Sequence, residues 1–475
     1  MAATSRRKYF GRMSSPTTRL EIDTLGPATR KAAQLFERIY LELEQRPVSP
    51  PGSAEDVRAL FAGSLEEQGV GLERTLEDFE TKVLPHSMGI AHPLYMGLVN
   101  SSPLPAAALA DSLVSALNNN AGAFHASPAM SACEEEVCRG FLRLVGFPTS
   151  AAGMVLPGGT FANLQALAVA RSASRLSVAE LPLARIYVSE ASHFSVLRAA
   201  RVVGLASEQL VSIPTVGRDA MDVEALGTRL EQDRRDGLRP MAVVANLGST
   251  GTGGIDPLSA IADLCARHAV WLHVDACYGG AALLLPEFRE RLVGVERADS
   301  VAIDPHKWFF IPMTAGLLLL REPRHAHEAF DDAASYIPSA DTDAWRWGIP
   351  TSRRASGFVI WMGLRAHGWS TVREAVRRNI ALARKLEEGL RAAGFEVLPN
   401  GELSVVCARC PTEGLSADEG DALQVKLARR VSDSGQAWFA TVRHRGRSWL
   451  RFNLVNLHVQ PSHVERMIEF VTRAR

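Results

Sequence analysis

The sequence predicts an α/β fold: a mostly parallel sheet flanked by helices on both faces, with an N-terminal helical segment and a small C-terminal α+β domain. Three observations carry this prediction. Between Gly153 and Leu320, short apolar runs alternate with stretches of helical periodicity. Several of the runs are apolar throughout, as in strands buried on both faces. The chain has 475 residues, too many for one simple core, and amphipathic helical patterns flank the alternating region.

From Pro27 to Gln45, Ala33, Leu35, Phe36, Ile39, Tyr40 and Leu43 recur at helical spacing. The Pro- and Ser-rich stretch Arg46 to Ser53 ends that helix, and two more are expected over 54–68 and 71–83. This segment has little core of its own and needs another surface to dock on. His92 to Pro128 is rich in small and polar residues, including the run Asn118-Asn119-Asn120. Three asparagines favour turns and caps over a helix interior, and both a capped loop and a polar pocket wall fit them. A helix over 131–144 follows.

The alternating region then reads in order. Strands are expected at 154–156, 186–188, 210–213, 241–247, 271–275, 300–303 and 314–320. Helices are expected at 161–172, 193–203, 223–233 and 255–268. Residues 322–350 are polar and irregular, as in a lid or binding loop. A long amphipathic helix over 371–393 leads into strands near 395–398, 404–408 and 448–455 and helices near 418–432 and 461–473. The domain boundaries fall near residues 90 and 365.

Composition narrows the function. The chain is 47% hydrophobic and 22% charged, as in soluble globular proteins. Its 52 basic and 52 acidic side chains give a formal net charge of +0, so no basic excess points to nucleic acid or an anionic membrane. No apolar run has the length of a bilayer span. Met1 to Ser15 lacks the apolar core of a secretory signal and reads as a disordered tail, with a transit peptide as the other reading. Six sparse cysteines fit a reduced, cytoplasmic setting. Cys407 and Cys410 form a lone CxxC without further ligands nearby, and read as strand residues.

Chemistry gathers at the expected strand ends, where such sheets bind ligands. Lys307, in Asp304-Pro305-His306-Lys307-Trp308, lies between two apolar runs. A buried lysine pairs with a carboxylate, or it loses its proton and becomes a nucleophile able to form a Schiff base. Pro157-Gly158-Gly159-Thr160 stands between a strand and a helix. Its glycines let backbone N–H groups approach an anion, and Thr160 serves as N-cap, as anion ligand, or as both. Asp275 ends a buried strand, and His193 opens a helix. Together these residues suit one ligand with an anionic tail, a protonatable ring nitrogen, a flat ring and a carbonyl. Pyridoxal 5′-phosphate has all four.

The stretches His273-Val274-Asp275-Ala276-Cys277-Tyr278, Asp304 to Trp308, Ser189 to His193 and Pro157 to Thr160 resemble the group II pyridoxal-phosphate decarboxylases of fold type I. That family includes the aromatic amino-acid, glutamate and cysteine-sulfinate decarboxylases. Order and spacing agree over roughly 84–350 and more weakly beyond. The resemblance implies a seven-stranded sheet, with residues 1–90 as a dimerisation segment, 91–365 as the cofactor domain and 366–475 as the small domain. It implies decarboxylation of an L-amino acid to an amine by a homodimer whose site lies at the subunit interface.

By the same resemblance Lys307 is the Schiff-base lysine, Asp275 binds the pyridine nitrogen and His193 stacks on the ring. Gly159, Thr160 and His306 hold the phosphate, and Thr250 and Cys277 lie beside the cofactor. Tyr336 supplies the proton after CO2 leaves; relatives with Phe there tend towards aldehyde formation. Arg451 receives the substrate α-carboxylate, while its bland reading is a salt bridge at a domain boundary. Asp304 replaces the Asn of the aromatic enzymes, and Cys277 replaces an Ala. Asn100, Asn120 and Gly122 bring polarity to the substrate wall. An acidic or small polar substrate is therefore expected, against an aromatic substrate, an aldehyde-forming oxidase or a non-catalytic scaffold.

Overall fold

The computed structural model describes residues 22–65, 67–331, 343–399 and 401–475. The chain divides into two compact units, Met1–His92 and Pro93–Arg475. The first is helical. It contains α1 (Ile22–Leu41), α2 (Ala54–Ala59) and α3 (Leu72–Asp78), the last continuing into a wider turn over Phe79–Val83. Ser53 caps α2 reciprocally: Asp56 N donates to Ser53 Oγ at 3.2 Å, and Ser53 N donates to Asp56 Oδ2 at 2.8 Å. Arg38 on α1 pairs with Glu80 at 2.6 Å.

The second unit opens with α4 (Pro105–Leu117) and α5 (Pro128–Val145). The sequence reading missed α4, because Pro105 and a run of alanines and leucines sit in a stretch dominated by turn formers. Pro105 occupies the first turn, where a missing N–H is harmless. The expected alternation follows: β1 (Ala152–Leu156), α6 (Gly159–Ala173), β2 (Ala184–Ser189), α7 (Phe194–Val202) and β3 (Leu210–Ile213). A hairpin of β4 (Thr215–Val216) and β5 (Ala220–Met221) leads to α8 (Val223–Arg235). Then come β6 (Arg239–Asn246), α9 (Leu258–His268), β7 (Trp271–Asp275), β8 (Ser300–Ile303), β9 (Gly316–Leu320) and α10 (Arg324–Phe330).

Among the described residues the central sheet has seven strands in the order β1-β9-β8-β7-β6-β2-β3. It is mostly parallel, as expected; β9 runs antiparallel to both neighbours. Side chains alternate between two apolar layers. Ile186, Val188, Ala242 and Val244 face Leu167 of α6 and Val196 of α7. Tyr187, Val243 and Ala245 join the larger core containing Phe141 of α5, Leu226 of α8 and Ile261 of α9. Burial on both faces explains why these strands read as continuous apolar runs.

The expected long helix begins earlier than predicted. α11 (Ser356–Ala392) starts 15 residues ahead of the expected 371–393, with a kink at Gly368. It leads to β10 (Glu396–Val397), β11 (Val405–Arg409), α12 (Ala417–Asp433), β12 (Ala440–His444), β13 (Arg447–Asn453) and α13 (Pro461–Arg473). The four strands form an antiparallel sheet in the order β10-β11-β13-β12. Cys407 lies on β11, and Cys410 just beyond it. No helix among the described residues is long and apolar enough to cross a membrane.

Candidate active site

The ends of β1, β2, β6, β7 and β8 open on one cavity of about 540 Å³. Its position outside the carboxyl ends of parallel strands follows from the topology. Asn100, Gly159, Thr160, His193, Thr250, Asp275, Cys277, His306 and Lys307 all line it. Arg451 and Asn120 are not among its lining residues, and Tyr336 lies outside the described residues.

Lys307 is set by its neighbours. The Trp308 indole is fully buried, stacks on Tyr278 with ring centroids 5.3 Å apart, and donates from Nε1 to Asn379 Oδ1 at 3.0 Å. Lys307 itself keeps its side chain at the cavity, with Nζ 2.9 Å from Asp304 Oδ2. Burial disfavours the ammonium, but the carboxylates of Asp304 and Asp275 outweigh it and hold the lysine pKa well above its ordinary value. Of the two readings of a buried lysine, this structure shows the ion pair.

The turn before α6 forms an anion cradle. Gly158, with φ +94°, is the N-cap, and Thr160 is the second helical residue. Thr160 is therefore not the cap; its exposed side chain faces the cavity. The amides of Gly159 and Thr160 precede the first intrahelical donor, Phe161 N, which bonds Gly158 O at 3.0 Å, and stay available to an anion. A Cβ on Gly159 would lie 2.7 Å from Asp304 Oδ2 and closer still to Cys277 Sγ, so a larger residue there would have to displace both side chains. His306 donates from Nδ1 to the Ala315 carbonyl at 2.7 Å, leaving Nε2 free of that bond.

Asp275 is buried at the end of β7. Its Oδ2 accepts from Asn163 Nδ2 at 2.9 Å and its Oδ1 from Cys277 N at 3.1 Å. Burial alone would raise its pKa; Lys307 and these hydrogen bonds win and hold it below the usual carboxylate value. His193 is the N-cap of α7, its Nδ1 accepting from Ser195 N at 3.3 Å. Burial lowers its pKa despite Asp275, so the ring is neutral at physiological pH. Burial raises the Cys277 thiol well above its usual value, which keeps it protonated.

Arg451 lies on β13, behind the cavity wall. It donates from Nε to Thr250 O at 2.9 Å and to Gly251 O at 3.1 Å, and from Nη1 to Gly97 O. Its buried Nη2 has no hydrogen-bond partner among the described residues. Asn120 closes a loop: its Oδ1 accepts from Gly122 N and Arg353 N, each at 2.9 Å.

Sequence reasoning missed Asn163, Ser195 and the pairing role of Asp304. Asn163 is one turn beyond Gly159 on the same face of α6, and is buried beside Ala162 and Ala166. A lone amide on a small apolar helix face is the signal that was available.

Comparison with known proteins agrees with this geometry. A family model described as the pyridoxal-dependent decarboxylase conserved domain matches residues 55–410. The chain is 31% identical to an aromatic-L-amino-acid decarboxylase of Bacillus atrophaeus, over 87% of this chain and 88% of that protein. It is 32% identical to an L-2,4-diaminobutyrate decarboxylase of Rhizobium meliloti, over 86% and 83%. The crystal structure of Oryza sativa TDC with PLP and tryptamine superposes with a TM-score of 0.91 at 27% identity, covering 96% of this chain and 98% of that one. The donor set fits the implied cofactor. A helix-start cradle, an ionised carboxylate, a neutral imidazole and a primary amine in one cavity match the phosphate, ring nitrogen, ring face and aldehyde of pyridoxal phosphate. The chain belongs to the pyridoxal-dependent decarboxylase family and is a pyridoxal-phosphate-dependent amino-acid decarboxylase.

Proposed function

We propose that this enzyme removes the α-carboxyl group of an acidic or small polar L-amino acid and releases the amine, working as a homodimer. The observation that carries the reading is the convergence of Lys307, Asp275, His193 and Asn100 on one cavity. Pyridoxal phosphate, when bound, supplies an aldehyde for the substrate amino group and a ring that accepts the electron pair left as CO2 departs. With the cofactor bound, Lys307 Nζ would be the amine that holds it, Asp275 would keep a proton on the ring nitrogen, and neutral His193 would cover the ring face and exclude water. Gly159, Thr160 and His306 would hold the phosphate, with Thr250 and Cys277 beside the cofactor.

Arg451 orients the substrate carboxylate. A guanidinium with no carboxylate partner among the described residues, bonded to the carbonyl of the cavity residue Thr250, supports that role. Asn100 supports a polar substrate, and the name of a relative 30% identical to this chain, an acidic amino acid decarboxylase of Bos taurus, is in keeping with it. The dimer reading rests on α4. Leu109, Leu113 and Leu117, spaced by four, are 49%, 45% and 60% exposed. An apolar stripe of this kind calls for a covering surface, and a second copy with its N-terminal helices is the occupant proposed. Asn120, Gly122 and the adjoining loop belong to the neighbouring subunit's substrate wall in this reading.

A screen of L-amino acids for CO2 release, including aspartate, glutamate and cysteine sulfinate, tests the substrate class. Release from an acidic or small polar amino acid is expected; preferential release from tryptophan, tyrosine or DOPA would overturn that assignment. Tyr336 is proposed to return the proton to the carbon that has lost CO2. Tyr336→Phe should cut amine formation by about 10²-fold or more, the usual scale of a positioned general acid; in air-equilibrated buffer, with dissolved O2 as the two-electron oxidant and hydrogen peroxide as its product, aldehyde and ammonia should appear by chromatography. Undiminished amine output would remove Tyr336 from the mechanism.

A further inference from the structure

We infer that Asn163 is the positioning residue on which both Asp275 and His193 depend, its amide held in one orientation between the Asp275 carboxylate and a run of hydrogen bonds that reaches the opposite end of β7. The inference rests on the proposed roles of Asp275 and His193. The chain starts at Trp271, whose indole N–H can only donate; it donates to Ser300 Oγ at 2.9 Å. Ser300 faces His273 across the β7–β8 ladder, and its hydroxyl lies 2.9 Å from His273 Nδ1. Burial pushes the His273 pKa down to about 4, so the ring is neutral and only one nitrogen donates. A hydroxyl can accept twice, so Trp271 alone does not set the Ser300 proton; because Asn163 Oδ1 can only accept, His273 Nε2 donates to it at 3.0 Å and Nδ1 accepts from Ser300.

That bond occupies the amide oxygen. Both N–H groups of Asn163 are then free to donate, and Nδ2 lies 2.9 Å from Asp275 Oδ2 and 3.0 Å from Ser195 Oγ. Ser195 in turn has its own proton for His193 Nδ1, at 2.7 Å, which leaves the His193 proton on Nε2. The reverse orientation is excluded from the other end. A flipped amide would set its oxygen against the ionised carboxylate of Asp275. Asn163 is 1% exposed, so solvent has no room to replace either bond. One side chain thus holds the carboxylate in its charged form and the imidazole in one neutral tautomer.

The test is titration of pyridoxal phosphate into the full-length protein freed of cofactor, followed by absorbance, with thermal unfolding of the same samples. Asn163→Asp keeps the size of the side chain and still accepts from His273, but sets a second carboxylate against Asp275. At about pH 8 its cofactor dissociation constant should exceed that of the unaltered enzyme by at least about 10-fold, the scale of one charge-assisted hydrogen bond. Towards about pH 6 the ratio should shrink, because two adjacent carboxyl groups come to share a proton and the introduced one can donate. The other titratable groups acting on Asp275 or its near neighbours are Lys307, Asp304, His193, His273 and Cys277. They are common to both proteins, so the ratio isolates the exchange.

A ratio within about 2-fold at both pH values overturns the inference, as does a loss that ignores pH, which marks Asn163 as merely structural. If Asn163→Asp does not fold, Asn163→Ser takes its place: a loss of about 5-fold or more supports the relay, and one within about 2-fold overturns it. Asp275→Asn is titrated in parallel. A weakened Asp275→Asn beside unaffected Asn163 variants sinks the relay alone. An unaffected Asp275→Asn sinks the assignment of Asp275, and the relay with it.

Discussion

Lys307→Ala should lose decarboxylation by at least about 10³-fold, as expected when a covalent catalyst is removed. It should also hold no cofactor after borohydride reduction and denaturation. Cofactor still covalently retained by that variant would refute the assignment of Lys307. The ion pair adds a second expectation. Asp304 is 2% exposed, and Lys307 is the only basic group among the described residues within hydrogen-bonding distance of it. Removing the ammonium strands a buried carboxylate, and breaking such a pair destabilises by about 3–5 kcal/mol. Urea unfolding should show this loss in Lys307→Ala and recover much of it in the double variant with Asp304→Asn. Activity should not return. Equal stabilities for the two variants would mean that Asp304 is indifferent to Lys307.

Asp275→Asn should lower turnover by roughly 10²–10³-fold, the range seen when one preorganised electrostatic group is lost. The replacement has nearly the same shape, so the loss would report charge rather than packing. Turnover and cofactor affinity, measured against thermal stability, separate the two. Full turnover in a well-folded Asp275→Asn would remove the carboxylate from the mechanism. The pH dependence has a definite sign. The folded pKa of Asp275 lies below that of the unfolded chain, so its ionised form contributes stability above the unfolded value of about 3.9. That contribution fades as pH falls through the acid range. Asp275 should therefore add no limb to the pH–rate profile near neutrality.

Much of the site was legible because its residues sit at strand ends, and strand ends can be read from apolar runs. Asp275, Lys307 and Thr160 were found that way. α4 was not, since a helix with an uncovered apolar face, set among asparagines and prolines, lacks the usual amphipathic contrast. Asn120 and Arg451 show a different limit. Resemblance put Asn120 in the substrate wall and gave Arg451 the substrate α-carboxylate; no local pattern could show that Asn120 also ties a loop to Arg353 or that Arg451 also bonds the backbone at Thr250, Gly251 and Gly97.

Periodicity and residue type are local properties, and they sufficed for the layered α/β architecture, the strand-end location of the chemistry and the cofactor. Packing in three dimensions was needed to show which carboxylate pairs with Lys307, that Gly158 rather than Thr160 caps α6, and that Asn163 joins Asp275 to His193. Those outcomes depend on side chains brought together from separate elements. Asn163 and Asp275 are 112 positions apart in sequence and 2.9 Å apart in space. Hydrogen bonds of that kind are fixed by the direction in which each buried group can donate, and that direction is settled only when the sheet and its helices have closed around them.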